Sequence, residues 1–416
     1  MCGFPLVHLD KHLKVLLRTH QRCVALCEEF KLETGHFERR VTRVLTPGTL
    51  IDEAFLNPYE NNYILSVGCP EKSVDKETPI GLAWMDVSTG EFFSQRTILA
   101  ALRDEVVRIG PKEIVLHEDL RPQESHPIRV ELAEEVAMFQ SFVNADVLPH
   151  NRLETEELTN SDDLIPAAPI LPEYAPEEAM AISQLVKFLA ANLLEHMPTL
   201  SRPLHQGADE RMQIDSHTIK SLEIKEAMRE GGTTGTLLSV INRTQTTSGS
   251  RLLSRWIHSP STSPSEITAR QTLVAFFNAR PHLRADLIVI LRKIEDAARI
   301  VQRFLAGRGA PDDLRSIGAA IAHWEAFRLR LDLERKMEAV EQGSLSEWEH
   351  MDSLLSKMTP LKDLSEKISG AVSSYEDLET TERDEDAEGQ LLDPLMASTI
   401  SKTAVLGSFR WHIKPE

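Results

Sequence analysis

Apolar positions near the start of the chain fall at helical spacing: Leu9, Leu13, Leu16 and Leu17. A short apolar run occupies 23–26, and alternation over 41–45 predicts a strand closed by the turn Thr46-Pro47-Gly48-Thr49. Cys23 and Cys27, four apart, are expected on one face of a helix. Beyond residue 50 the pattern changes to strands at 63–67 and 82–87. Asp86-Val87-Ser88-Thr89-Gly90-Glu91 reads as a hairpin-like turn into a strand at 91–94. Leu99, Leu102, Val106, Val107 and Ile109 predict a helix, and 113–117 a further buried strand.

Three strands, a helix and a strand open an RNase H-like layout. A stretch rich in acid and proline at 151–177 (Pro166, Pro169, Pro172, Pro176) reads as a linker. From about 178 the pattern is helical, beginning with Ile182, Leu185, Val186, Leu189, Ala190, Leu193 and Leu194. Ser263-Pro264-Ser265-Glu266 is a strong helix start, because Ser263 can cap and Pro264 suits the first turn. Pro281 breaks that helix, and Pro311 with Asp312 and Asp313 begins another. Only Gly318 interrupts 311–342, which predicts a helix of about 45 Å, long enough to act as a strut.

The 416-residue chain has room for two or three domains. No stretch approaches the roughly 20 apolar residues of a membrane span, and residues 1–7 are not followed by a secretory cleavage pattern. Four cysteines do not make a disulfide scaffold, so buried free thiols and a reducing compartment are expected. The net charge of -18 argues against a simple basic DNA-coating protein. Residues 201–310 nevertheless carry 16 Lys/Arg against 10 Asp/Glu, a basic stretch in an acidic chain. It can touch phosphate in a salt-dependent way, although a solvated helical surface explains the charge more simply.

Candidate chemistry is sparse. No Gly-x-x-x-x-Gly-Lys-Ser/Thr phosphate loop occurs, and Gly231, Gly232 and Gly235 read as a turn. His8 and His12 lack the glutamate of a metalloprotease motif. Asp86, with Glu91 and Glu113, is the candidate for an RNase H-like Mg²⁺ site; hydrogen bonding within the turn before Gly90 is the competing reading. Asp215 can cap a helix, and Leu237, Leu238, Ile241, Leu252, Leu253, Trp256 and Ile257 are expected in the core. Arg243, Arg251 and Arg255 suit either phosphate or pairing with acids at helix ends, and the structural role is preferred.

Ile214-Asp215 and Leu222-Glu223-Ile224, then Thr236-Leu237-Leu238, then Thr247-Ser248-Gly249-Ser250-Arg251-Leu252-Leu253 with Trp256-Ile257 and Pro260, resemble the core-domain signature of the MutS family of DNA mismatch repair proteins. Ile267, Arg270 and Gln271 continue it. Arg299 with Arg303, then Gly307-Arg308-Gly309-Ala310-Pro311-Asp312-Asp313-Leu314, resemble the next core block. Gly3-Phe4-Pro5, residues 24–28 and residues 40–49 resemble the second part of the mismatch-binding domain. Residues 86–92 resemble the connector, and Trp411-His412-Ile413-Lys414-Pro415 the entry to the clamp. Tyr59-Glu60-Asn61-Asn62-Tyr63 looks closest to the fungal mitochondrial branch.

The resemblance implies an α/β N-terminal part followed by a mostly α-helical core and lever. Its divisions are the end of mismatch-binding domain I at 1–50, an RNase H-like connector at 51–150, a linker at 151–177, the helical domain at 178–408 and the start of the clamp at 409–416. It implies DNA mismatch repair, with no catalysis by this chain. ATP and Mg²⁺ belong to the full-length family member. Partners are mismatched double-stranded DNA and a second copy joined through the ATPase domain; no membrane is involved. A mitochondrial location follows, with the nucleus as alternative. The family wedges a Phe-x-Glu beside the mispaired base, and no Phe-x-Glu occurs here. Arg39, Arg40 and Arg43 are the candidate DNA-backbone contacts. The rival readings are a Mg²⁺-dependent nuclease using Asp86 and a protein-binding helical scaffold.

Overall fold

The computed structural model describes residues 8–20, 22–31, 36–70, 74–133, 138–144, 174–207, 210–228, 232–340 and 345–372. The acidic run at 376–388, the alternating segment at 409–414, Gly3-Phe4-Pro5, Gly231 and most of the expected linker lie outside those residues.

Helix α1 (Leu9–Lys14) precedes an antiparallel hairpin of β1 (Val24–Lys31) and β2 (Phe37–Leu45). Leu13, Leu17 and Leu45 close a small core with Leu50, Phe55 and Leu56. Cys23 and Cys27 do not share a helix: Val24–Lys31 is a strand, and both thiols are exposed. Residues four apart share a face in a strand as well as in a helix, so their spacing alone did not decide. Half-buried Val24 and Leu26 alternate with exposed Ala25 and Cys27, which is the strand period.

The second unit is a mixed sheet. Strands β3 (Tyr63–Gly68), β4 (Pro79–Asp86) and β5 (Glu91–Ile98) are antiparallel neighbours. Helix α2 (Leu102–Ile109) then returns the chain to β6 (Glu113–His117), parallel to β3. Helix α3 (Pro127–Ala133) leads to β7 (Phe139–Val143), parallel to β6. The order is β7-β6-β3-β4-β5, closed at the far edge by the two-residue β8 (Leu204–His205). This is the expected RNase H-like layout. Leu65, Val67, Leu82 and Trp84 face α2 and α3, with Leu102, Val106 and Ile128. Ile64, Met85, Phe92 and Val115 point the other way, onto α4 (Pro176–Leu193).

Helix α4 corrects the expected division at 178. Its Ala181, Ile182, Leu185 and Leu189 lie in the sheet's own core, so the α/β unit runs past 193. A sheet apolar on both faces needs cover on both, and α4 supplies the second. The helix starts so close to the strands that a Cβ on Gly81 would stand 2.1 Å from the Glu177 carbonyl oxygen. Gly81→Ala is therefore expected to destabilise the sheet unit by about 1–3 kcal/mol. Urea unfolding checks this, and an unchanged midpoint would mean that α4 sits higher off the sheet.

Among the described residues that follow, the main elements are helices: α5 (Ser216–Ser221), α6 (Leu237–Ile241), α7 (Thr247–His258), α8 (Pro264–Ala279), α9 (Pro281–Leu291), α10 (Ala297–Leu305), α11 (Pro311–Val340) and α12 (Glu349–Ser356). Side-chain caps fix several starts. Asp215 accepts from the Thr218 N–H at 2.8 Å, Thr246 from Gly249 at 3.0 Å, and Ser263 from Glu266 at 3.5 Å. The expected strut is α11, whose 30 residues give about 45 Å. Two stretches of it enter separate cores. Ile317 and Ile321 pack with Ile300 and Ile368 near the start; Leu331 packs with Phe276, Leu287, Trp348 and Met351 further on. No described helix is long and apolar enough to cross a membrane.

The core expected around α6 and α7 is not buried. Leu237, Ile241 and Trp256 are exposed, and Leu238, Leu252, Leu253 and Ile257 are half-buried. Helix α7 turns its polar side inward, burying Ser250, Arg251 and His258. Apolar periodicity locates a helix face, but here the inward neighbours are carbonyls and carboxylates, and the polar face satisfies them.

Candidate functional site

The three arginines expected at DNA differ in their surroundings. Arg39 is exposed and pairs with Glu29 on the neighbouring strand at 2.5 Å. Arg40 lies 4.0 Å over the Phe30 ring and 3.5 Å from Glu195. Arg43 is buried, and its guanidinium donates to Asp52 at 2.8 Å. A cation enclosed in this way does not reach phosphate, so Arg43 leaves the DNA-facing set. β2 carries positions 39 and 43 outward and inward because a register shift opposite Leu26 and Cys27 breaks the simple alternation.

Asp86 ends β4, and its carboxylate holds the turn that follows. Its Oδ1 accepts from the Ser88 N–H at 3.0 Å and hydroxyl at 2.6 Å. Its Oδ2 accepts from the Asn62 N–H at 3.0 Å and the Asn61 amide at 3.2 Å. All four donors approach a fully buried carboxylate, leaving no open coordination position. Glu91 instead pairs with Arg255 at 2.9 Å. Glu113 is taken up elsewhere: its Oε2 accepts from Thr46 at 2.5 Å and from the Gly48 N–H at 2.8 Å, and its Oε1 from Ser141 at 2.5 Å. Burial pushes the Glu113 carboxyl up, against the pull of those three donors. Among the described residues no group of three or more His, Cys, Asp or Glu could hold a metal. The Asp86 nuclease reading therefore lacks the converging carboxylates that it requires.

A dense convergence of charge lies where the hairpin, the sheet and the helices meet. Asp296 caps α10 and receives the Arg251 guanidinium in two bonds, at 2.5 and 3.1 Å. Burial alone would raise the Asp296 carboxyl, but the Arg251 hydrogen bonds and charge, with Arg299 behind them, hold it below the usual carboxylate range. Arg251 also donates to the Pro58 carbonyl at 2.8 Å. Arg299, only 1% exposed, donates to the carbonyls of Asn57 at 3.2 Å and Glu60 at 2.8 Å. One turn on, Arg303 reaches Glu53 at 3.1 Å and also pairs with Asp313 in the first turn of α11. Arg308 Nε stands 2.8 Å from Asp52, an ion pair without hydrogen-bond alignment.

The other motif residues mostly shape turns. Glu223 takes φ +47° and its side chain accepts from the Met228 N–H at 2.9 Å. Backbone bonds join Leu237 to Glu223 and Leu238 to Ile224, while Leu222 is 61% exposed. Gly249 fits beside its Thr246 cap, where a Cβ would meet the hydroxyl at 2.8 Å. The Pro260 carbonyl accepts from Met212 at 2.8 Å, Arg270 lies 3.7 Å over Trp256, and Pro311 opens α11. The sequence reading missed Asp52 and Asp296 as anions of this junction. Arg299 and Arg303, four apart between Asp296 and Asp313, were the available signal.

Comparison with known proteins gives three successive matches along the chain. Residues 1–54 match MutS domain I, 62–201 match MutS domain II and 217–407 match MutS domain III. DNA mismatch repair protein MutS of Bartonella henselae is 32% identical over 325 residues, covering 76% of this chain and 35% of that protein. This chain belongs to the MutS family. The MutS protein of Rhodopirellula baltica is 31% identical over 355 residues, 80% of this chain and 38% of its own length. That of Rhodopseudomonas palustris (strain HaA2) is 28% identical over 391 residues, 92% and 41%. The chain thus spans about two fifths or less of these MutS relatives. The MutS domain II match extends to 201, in keeping with α4 on the sheet. Residues 55–61, between the first two MutS domains, are those whose carbonyls Arg251 and Arg299 bind.

Proposed function

We propose that this chain forms the connector and lever of a DNA mismatch repair protein, holding a DNA-facing hairpin at one end and transmitting its position along α11. The observation that carries this reading is the strut itself, about 45 Å of continuous helix anchored by two separate cores. Such an element lets two distant sites bias one conformational equilibrium. The names of the MutS relatives support mismatched DNA as the ligand of the full-length protein. ATP with Mg²⁺, and a second copy joined through an ATPase domain, are proposed for that full-length protein, not for the residues described above. The likeness of residues 59–63 to the fungal mitochondrial branch supports a mitochondrial location, with the nucleus as alternative. Imaging of a tagged full-length protein separates these.

This chain is expected to bind DNA weakly through phosphates, with less than about tenfold preference for a mismatched duplex over a paired one. Replacing Arg39 and Arg40 together by alanine is expected to weaken binding equally on both duplexes and to reduce the salt slope by up to about 2. Electrophoretic shifts across a salt series check both. A stronger mismatch preference would place a reading wedge within this chain. Salt-independent absence of binding would favour a protein-binding scaffold, for which the exposed Leu329, Leu333, Met337 and Val340 on α11 offer a surface.

A further inference from the structure

The segment between the hairpin and the sheet is held from outside by a row of arginines from the helical region. In chain order its residues meet Arg308 at Asp52, Arg303 at Glu53, Arg299 at Asn57, Arg251 at Pro58 and Arg299 again at Glu60. Arg299 and Arg303 come from one face of α10, Arg308 from the turn after it, and Arg251 from α7. Three of these contacts are to backbone carbonyls. They fix the path of the chain whatever side chains it carries.

Filling the same volume with apolar side chains would avoid the cost of enclosing guanidiniums against neutral carbonyls. Forked donors define direction in a way that apolar packing does not. The row is also wired to both of its neighbours. Asp52 offers one oxygen to Arg308 and the other to Arg43 of β2, while Arg303 holds Asp313 in the first turn of α11. Two sets of ion pairs, joined by the backbone between residues 52 and 53, therefore connect the hairpin to the base of the strut.

We propose that Arg251, Arg299, Arg303 and Arg308 are positioning residues that set the angle between the β1–β2 hairpin and α11 by gripping residues 52–60. This deepens the lever reading above and rests on it, but its test needs no DNA, so the two can fail separately. Asp52 is the shared joint. Removing its charge releases Arg43 and Arg308 together, while the hydrophobic cores on either side stay intact.

The test is a distance measurement between spin labels on the full chain. Labels are placed at Glu38→Cys on the hairpin and Ala326→Cys on α11, both exposed, with the native cysteines replaced by serine. The parent is expected to give one narrow distance distribution. Asp52→Asn and Arg299→Lys are each expected to widen it at least twofold or shift its centre, with helix content unchanged. Arg299→Lys keeps the charge and loses the fork, so it serves if the first variant fails to fold. Distributions superimposable on the parent's in a folded variant would overturn the proposal, because a merely stabilising contact changes the melting point and not the angle.

Discussion

Replacing Asp296 by alanine is expected to lower the unfolding free energy by about 3–5 kcal/mol, because it leaves buried guanidiniums without their anion. Arg251 and Asp296 are both almost enclosed, and Arg299 stands 3.9 Å from the same carboxylate. Acid titration supplies an internal control. The Asp296 carboxyl is held below its ordinary value, near 3.9 in an unfolded chain. A depressed folded value stabilises the protein above the unfolded one, and that contribution is lost as pH falls through the folded value. The gap between parent and Asp296→Asn should therefore be full at neutral pH and shrink in strong acid. Denaturant unfolding at a series of pH values measures it. A gap that stays constant into acid would mean that the carboxylate's charge is not what holds the junction.

Leu185→Ala is expected to cost about 2–5 kcal/mol, the range for emptying a packed leucine site. Leu185 is fully buried between α4 and the sheet, in the cluster with Ile64, Met85 and Val115. Hydrogen exchange should show the loss in β3, β4 and β6, while α8, α9 and α11 keep their protection. If protection fell in the helices and not in the strands, α4 would belong energetically to the helical region after all.

Where one period dominates, the sequence is a good guide. Alternation over 41–45 marked the second half of β2, apolar segments at 63–67 and 82–87 marked β3 and β4, and a breaker-free run from Pro311 predicted α11 nearly to its last turn. Capping chemistry at Asp215 and Ser263 was legible because it is local. What the chain did not announce is partnership. The stripe on α4 was plain, but not that the sheet was its partner. Arg43 carries the charge that phosphate wants, yet Asp52 takes it, nine residues away around a turn. Arg299 finds its acceptors in carbonyls more than two hundred residues earlier, and backbone oxygens leave no compositional trace. Leu237 and Trp256 mislead in the opposite sense, since apolar character does not say which neighbour, if any, will cover it.

The anchoring of Asp313 has a mechanical consequence. The first turn of α11 is tethered to Arg303, while Val340 stands at the other end of the shaft. A stiff rod of about 45 Å pivoting by about 5° sweeps its tip through about 4 Å. A rotation of that size at the ionic pivot thus becomes, at the tip, a stroke as wide as a side chain is long.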